Sequence, residues 1–251
     1  MSGPVATIAA IVVAAGVAQT ARAELCAFDA FDINSATLAR VRGPGRVAFI
    51  RGAEMSGCPA AVQRCREKAY VVAGDTVVVR GMKAGLACVD YTDGRGRSHR
   101  NWLPRAAIVA VPPAAGGTSS WVGDWRRPET IIRVTPGKTS GRLALVGQST
   151  YGASDPALAA RGAVNVGDIA AEIVPRNDRA AFGMGSVGAK NATGIKDFGG
   201  NPTAFIPYAA IGADDCGVMV RRLGPYLLVR DNNRCGGLNV SFSGVYRRRS
   251  G

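Results

Sequence analysis

Val218-Met219-Val220-Arg221-Arg222-Leu223 and Tyr226-Leu227-Leu228-Val229-Arg230 are two β-rich runs separated only by Gly224-Pro225. Glycine supplies a positive φ and proline fixes its own, so the two runs read as one tight antiparallel hairpin. Beyond it, Leu238, Val240, Phe242 and Tyr246 share one face of a period-two strand, with Asn239, Ser241 and Ser243 on the other. Working back from the hairpin, residues 129–135 precede a Pro136-Gly137 turn and a run at 142–147, and residues 167–174 and 205–211 add strands. About seven or eight strands over residues 121–251 predict an up-and-down antiparallel β-barrel.

The hairpin also fixes a disulfide. If Leu223 faces Tyr226, Cys216 falls opposite Asn233, two residues short of Cys235. A bulge at Asn232-Asn233 brings the two sulfurs together, because bridged Cα atoms lie within about 4.4–6.8 Å. The remaining four cysteines allow three pairings, of which Cys58–Cys65 with Cys26–Cys88 is preferred.

Residues 111–120, Val-Pro-Pro-Ala-Ala-Gly-Gly-Thr-Ser-Ser, have no periodic apolar face. They divide the chain into residues 24–112, a linker at 113–120, and residues 121–251. Few contacts are expected to cross this point, so each half is expected to fold alone. Before the linker, strand-like runs at 46–50, 69–75, 76–79, 86–91 and 101–111 are punctuated by Gly, Asp and Pro. That is the pattern of a small all-β barrel.

Here Val71-Val72-Ala73-Gly74-Asp75, then Cys88-Val89-Asp90-Tyr91, then Gly94-Arg95-Gly96 and Asn101-Trp102-Leu103, resemble the bacterial SH3-like domains of exported proteins over roughly residues 46–110. Ala73, Leu86 and Asn101 stand where the family pattern has Pro, Trp and Gly. The resemblance implies a non-catalytic recognition or spacer module near the cell wall. In the second half, Gly123-Asp124-Trp125 and the terminal Arg247-Arg248-Arg249 resemble the calycin barrels of lipocalins and avidins. That likeness implies a barrel closed by Gly123 and Trp125, with a terminal arginine packed across the tryptophan.

The first residues read as a targeting signal. Residues 5–18 are an uncharged apolar run, too short to span a bilayer, and Ala21-Arg22-Ala23 matches an A-x-A cleavage site. An export signal over residues 1–23, cut after Ala23, is expected, which places the chain in a bacterial periplasm or outside the cell. All six cysteines follow the cut, and export to an oxidising compartment suits three disulfides. The mature chain is expected to hold no membrane span.

Catalytic sets are poorly supplied. His99 is the single histidine, and it sits in the arginine-rich segment 94–100, which reads as an exposed loop. Ser-His-Asp, Cys-His and multi-histidine metal chemistry would all have to run through it. Gly183-Met184-Gly185-Ser186-Val187-Gly188 fits G-x-G-x-x-G but lies among turn residues, and so reads as a flexible loop rather than a dinucleotide site. Ser186 has Met184 where a nucleophile elbow needs glycine, and Asp214-Asp215 reads as a solvated turn. No catalytic residue, metal or cofactor is expected.

Charge points instead to a partner. The formal net charge is +13, with +5 on residues 24–112 and +7 on 113–251, and arginine outnumbers lysine 26 to 5. No basic stripe interleaved with aromatics is present, so nucleic acid is not the expected partner. The expectation is a non-enzymatic binding or structural protein that meets an anionic envelope polymer or envelope protein. Arg95, Arg97 and Arg100, beside the aromatic face of Trp102, are the expected binding residues. An inhibitor or effector module of the lysozyme-inhibitor type and an envelope hydrolase are the alternatives.

Overall fold

A computed structural model of the chain describes Cys26 and residues 31–93, 95–112, 116–185, 192–196, 202–204 and 206–249. The export signal expected at residues 1–23 lies outside the described residues. The chain is all-β, with two large antiparallel sheets divided at residues 112–122.

The first sheet holds β1 (Thr37–Val41), β2 (Arg46–Ile50), β3 (Arg66–Val72), β4 (Thr76–Lys83), β5 (Leu86–Thr92), β6 (Ser98–Pro104) and β7 (Ile108–Val111). Their order is β3-β2-β6-β5-β4-β1-β7. Val71, Val77, Val79, Val89 and Leu103 make its core together with Phe49. The single strand expected at 101–111 is split by a turn at Arg105–Ala107. β6 thereby lies inside the sheet between β2 and β5, while β7 forms an edge beside β1.

The second sheet holds β8 (Gly123–Arg127), β9 (Thr130–Pro136), β10 (Leu143–Tyr151), β11 (Asn165–Ile173) and β12 (Arg179–Met184). After a small hairpin of β13 (Ala192–Lys196) and β14 (Pro202–Ala204), it is completed by β15 (Cys216–Leu223), β16 (Tyr226–Asp231) and β17 (Gly244–Arg248). The order β11-β10-β9-β8-β17-β16-β15-β12 makes a nearly closed eight-stranded barrel, with β11 and β12 meeting where the ladder is missing. Alternation drives it: in β10 every second side chain from Leu143 to Ser149 is buried. Ile132, Leu145, Ile169, Phe182, Phe242 and Tyr246 fill the interior. Gly147 faces inward, where a Cβ would come within 2.7 Å of Ile169 Cγ1, so only glycine fits.

Three differences from the sequence expectation have local causes. Residues 238–243 are not strand; Leu238 is 77% exposed while Val240 and Phe242 remain buried. Asp231 captures Ser241 Oγ, the Phe242 N–H and Ser243 Oγ, replacing ladder bonds with side-chain ones. Tyr208–Ala210 is a 3₁₀ turn rather than part of a strand, and Phe205 lies outside the described residues. Gly183 is in β12, not a loop, and is small because Ile206 and Ile211 pack on it; residues 186–188 of that motif are outside the described residues.

The halves are joined more closely than the linker composition suggests. Phe31, Ile33, Ala36, Leu38 and Val78 form one buried cluster with Leu223, Tyr226, Leu228 and Val245. Gly224, at the hairpin turn (φ +59°), approaches β1 so closely that a Cβ would lie 2.8 Å from Leu38 Cδ2. Arg221 donates to Asp178 (2.7 Å) and to the carbonyls of Ile33, Asn34 and Ala36 (2.8, 3.0 and 2.8 Å). The expectation of few contacts between the halves is corrected. Apolar residues on the outer faces of both sheets are buried against each other.

Three disulfides complete the fold: Cys26–Cys88, Cys58–Cys65 and Cys216–Cys235. The last spans a Cα distance of 4.6 Å, with Val218 paired to Asp231 and Asn233 at φ +59°.

Candidate functional site

The β5–β6 turn is built around Asp93. Its Oδ1 accepts the backbone N–H groups of Arg95 (2.9 Å) and Arg97 (3.0 Å), and its Oδ2 accepts Arg97 Nε (2.8 Å). Burial pushes the Asp93 carboxyl up, but the Arg97 and Arg95 donors outweigh it and hold the group below its ordinary range. Thr92 Oγ1 donates to the Val245 carbonyl at 3.1 Å, which pins the hairpin on β17. Gly96, at φ +82°, lies against the second sheet; a Cβ there would meet Arg126 Cβ at 3.4 Å.

Between this turn and the β8–β9 turn runs an open groove of about 460 Å³, walled by Arg95, Arg97, Arg126, Arg127, Glu129 and Gln148. Arg95 and Arg97 are exposed, the Arg97 side chain by 77%. Arg126 is half-buried, and its Nε makes no hydrogen bond. Arg127 donates Nη2 to the Ser241 carbonyl and stands 5.5 Å over the Tyr246 ring. Among the described lining residues Glu129 is the one carboxylate. It occupies the turn at φ +59°, held by the Thr150 N–H on its carbonyl (2.9 Å) and the Ser154 N–H on Oε1 (2.5 Å).

The other expected residues are placed elsewhere. Arg100 is on β6, 21% exposed, with Nε 2.6 Å from Asp90 Oδ1, so it is part of a structural ion pair and not of the loop. Trp102 is fully buried against Cys65, Cys88 and Ile50; it offers no aromatic face, because its place on β6 points inward to the disulfides. His99 lies in the same strand rather than in a loop, 2.7 Å from Glu67 Oε2 and edge-on to Phe49. In the second sheet, Trp125 is buried and donates to the Trp121 carbonyl at 2.9 Å. Of the terminal arginines, Arg248 lies 5.8 Å over the Trp125 ring, beside Gly123. Asp215 closes its own turn by accepting the Gly212 N–H at 2.7 Å.

Arg126, Arg127 and Glu129 are not legible as site residues in the sequence. Two arginines ahead of Pro128 mark a turn, but nothing local shows that Gly96 packs on it. Among the described residues no three His, Cys, Asp or Glu side chains gather as metal donors, and no helix is long and apolar enough to cross a membrane. Chemically, the groove can offer planar guanidinium forks from two sheets to carboxylate or phosphate oxygens. Compared with protein-family models, curated proteins and solved structures, the chain matches none.

Proposed function

We propose that this is an exported, non-enzymatic binding protein of the bacterial periplasm or envelope, which recognises an anionic envelope component through the groove between the two turns. The observation that carries the reading is the convergence of Arg95, Arg97, Arg126 and Arg127 on one open groove, with Glu129 the one carboxylate among its described lining residues and Asp93 pairing Arg97 from behind. An open groove of about 460 Å³ leaves room for more than one anionic group, as an acidic polymer or an acidic protein surface presents. Three disulfides fit an oxidising compartment.

The test is retention on purified cell envelope as salt is raised, for the native protein and for R95S/R97S/R126S. Between about 0.1 M and about 1 M salt the Debye length falls from about 10 Å to about 3 Å, so native retention should collapse. The triple variant should be released about tenfold more readily at low salt, the equivalent of about 1.4 kcal/mol. Equal retention of the two proteins, or retention indifferent to salt, would overturn the proposal.

A further inference from the structure

β7 is an edge of the first sheet and, among the described residues, pairs with β1 alone. Beside it lies an open slot of about 510 Å³. Strand alternation makes its apolar floor. Thr37 and Ala39 share one face of β1, Val79 of β4 pairs with Thr37, and Ala110 of β7 pairs with Ala39. Ile108, two residues from Ala110, is on that same face, and with Ala39 and Val79 it belongs to the core of the first sheet. Ala110 is exposed, so a longer side chain at this position would enter the slot. Met82 and Val109, which also line it, are 50% and 46% exposed.

Arg42 and Arg105 are the charged residues among the described lining, and no carboxylate is found there. Arg42 donates Nε to the Ala106 carbonyl at 2.9 Å, and Arg105 donates Nε to Met82 Sδ at 3.1 Å. The Arg105 N–H bonds the Gly85 carbonyl at 2.9 Å, which fixes the turn that carries it. Both side chains are thereby held at the slot while staying exposed, and neither is ion-paired among the described residues. Concave sites of this size, mostly apolar with a few placed polar groups, are what small ligands occupy. Here the walls suit an aliphatic chain, which the unbranched thioether of Met82 can pack around. The guanidiniums suit a carboxylate, whose two oxygens match a planar fork. A cationic head would be repelled, and a polyanion would leave the apolar walls in water.

We propose that this slot binds a single-chain amphiphile of the alkyl-carboxylate class, its chain against β1 and β7 and its head on Arg42 and Arg105. The site is separate from the groove, and the two readings fail separately. The experiment is calorimetric titration of the full chain with decanoate, octanoate and decyl maltoside, each kept below its micelle concentration. Decanoate should bind once per chain, and octanoate about fifteenfold more weakly, at roughly fourfold for each CH₂ withdrawn from the walls. Decyl maltoside has the chain without the charge and should bind at least about tenfold more weakly than decanoate. R42Q/R105Q, two exposed positions, should erase that difference between the heads, and A110L should weaken both ligands by filling the slot. R95S/R97S/R126S should bind decanoate as the native protein does. No saturable binding of decanoate, equal affinity for the two chain lengths, decyl maltoside binding as tightly as decanoate, affinity undiminished in R42Q/R105Q, or binding lost in the groove variant would each sink the proposal.

Discussion

At Glu129 one carboxylate faces four arginines from a backbone conformation, φ +59°, that favours glycine or asparagine. Its side chain gives the strained turn a hydrogen bond to Ser154, and its charge offsets part of the groove's field. E129Q keeps an acceptor for Ser154 while removing the charge. It should shift envelope retention to higher salt and change stability by less than about 0.5 kcal/mol in denaturant melts. Gly96 is the opposite case. G96A places a Cβ at φ +82° against Arg126, and should lose about 1–2 kcal/mol. Acid acts on the same turn, through Asp93, and on the Arg221 tie, through Asp178. Asp93 and Asp178 are both held below their ordinary range: burial raises each, and their arginine partners, Arg97 and Arg221, prevail. A depressed carboxyl contributes stability that is complete above its unfolded value of 3.8 and lost as pH falls through its lower folded value. Urea midpoints should therefore be flat from neutral pH to about 5 and drop below about 4. Arg95 and Arg97 are legible in the sequence because a glycine-rich polar turn exposes whatever it carries. Trp102 is not, since one residue of strand register separates an exposed ring from a buried one.

Between elements, the β15–β16 hairpin is the most legible part of the chain. Its turn sets the register, and the register sets the Cys216–Cys235 pair, so a local rule reaches 19 residues along the sequence. C216S/C235S should lose about 3 kcal/mol in equilibrium denaturation, the loop-closure value for a ring of this size. The segment between the hairpin and β17 departs from its own pattern for a physical reason. Period-two hydrophobicity at 238–246 looks like strand, but Asp231 offers the backbone a side-chain acceptor that the pattern does not contain. β8 and β12 escape a sequence reading because each is short and carries glycines and arginines in place of β-branched runs. Arg221 is the strongest tie between elements, since one guanidinium satisfies Asp178 and three carbonyls of the segment leading into β1. R221M keeps the stem and removes the fork. It should cost about 3 kcal/mol, because it leaves buried carbonyls without their donor and Asp178 with only its longer pair to Arg179. R221K should recover only part of that loss, as an ammonium cannot reach all four acceptors.

Over the whole molecule, the two sheets are legible as separate runs of strands, but their union is not, because it is made by residues of both halves that each look like ordinary strand positions. Leu38 and Val78 from one sheet and Tyr226, Leu228 and Val245 from the other are all at most 5% exposed. Burying one such side chain is worth about 1.5–3 kcal/mol, so exposing only three of them removes about 5 kcal/mol or more. That is comparable to the total stability of a typical domain, about 5–15 kcal/mol. The seam is also polar: Arg221, Arg230 and Thr92 donate across it to backbone carbonyls, which would be left without these partners if the sheets parted. Neither sheet can shed its partner at small expense. The full chain should accordingly unfold in one calorimetric transition, with matching calorimetric and van't Hoff enthalpies. Residues 121–251 expressed alone in an oxidising compartment should melt well below the full chain and bind a hydrophobic dye through the bared face of β16 and β17. Two resolved transitions, or a fragment as stable as the whole, would mean that the shared cluster contributes little and that the halves behave as beads on the 113–120 linker.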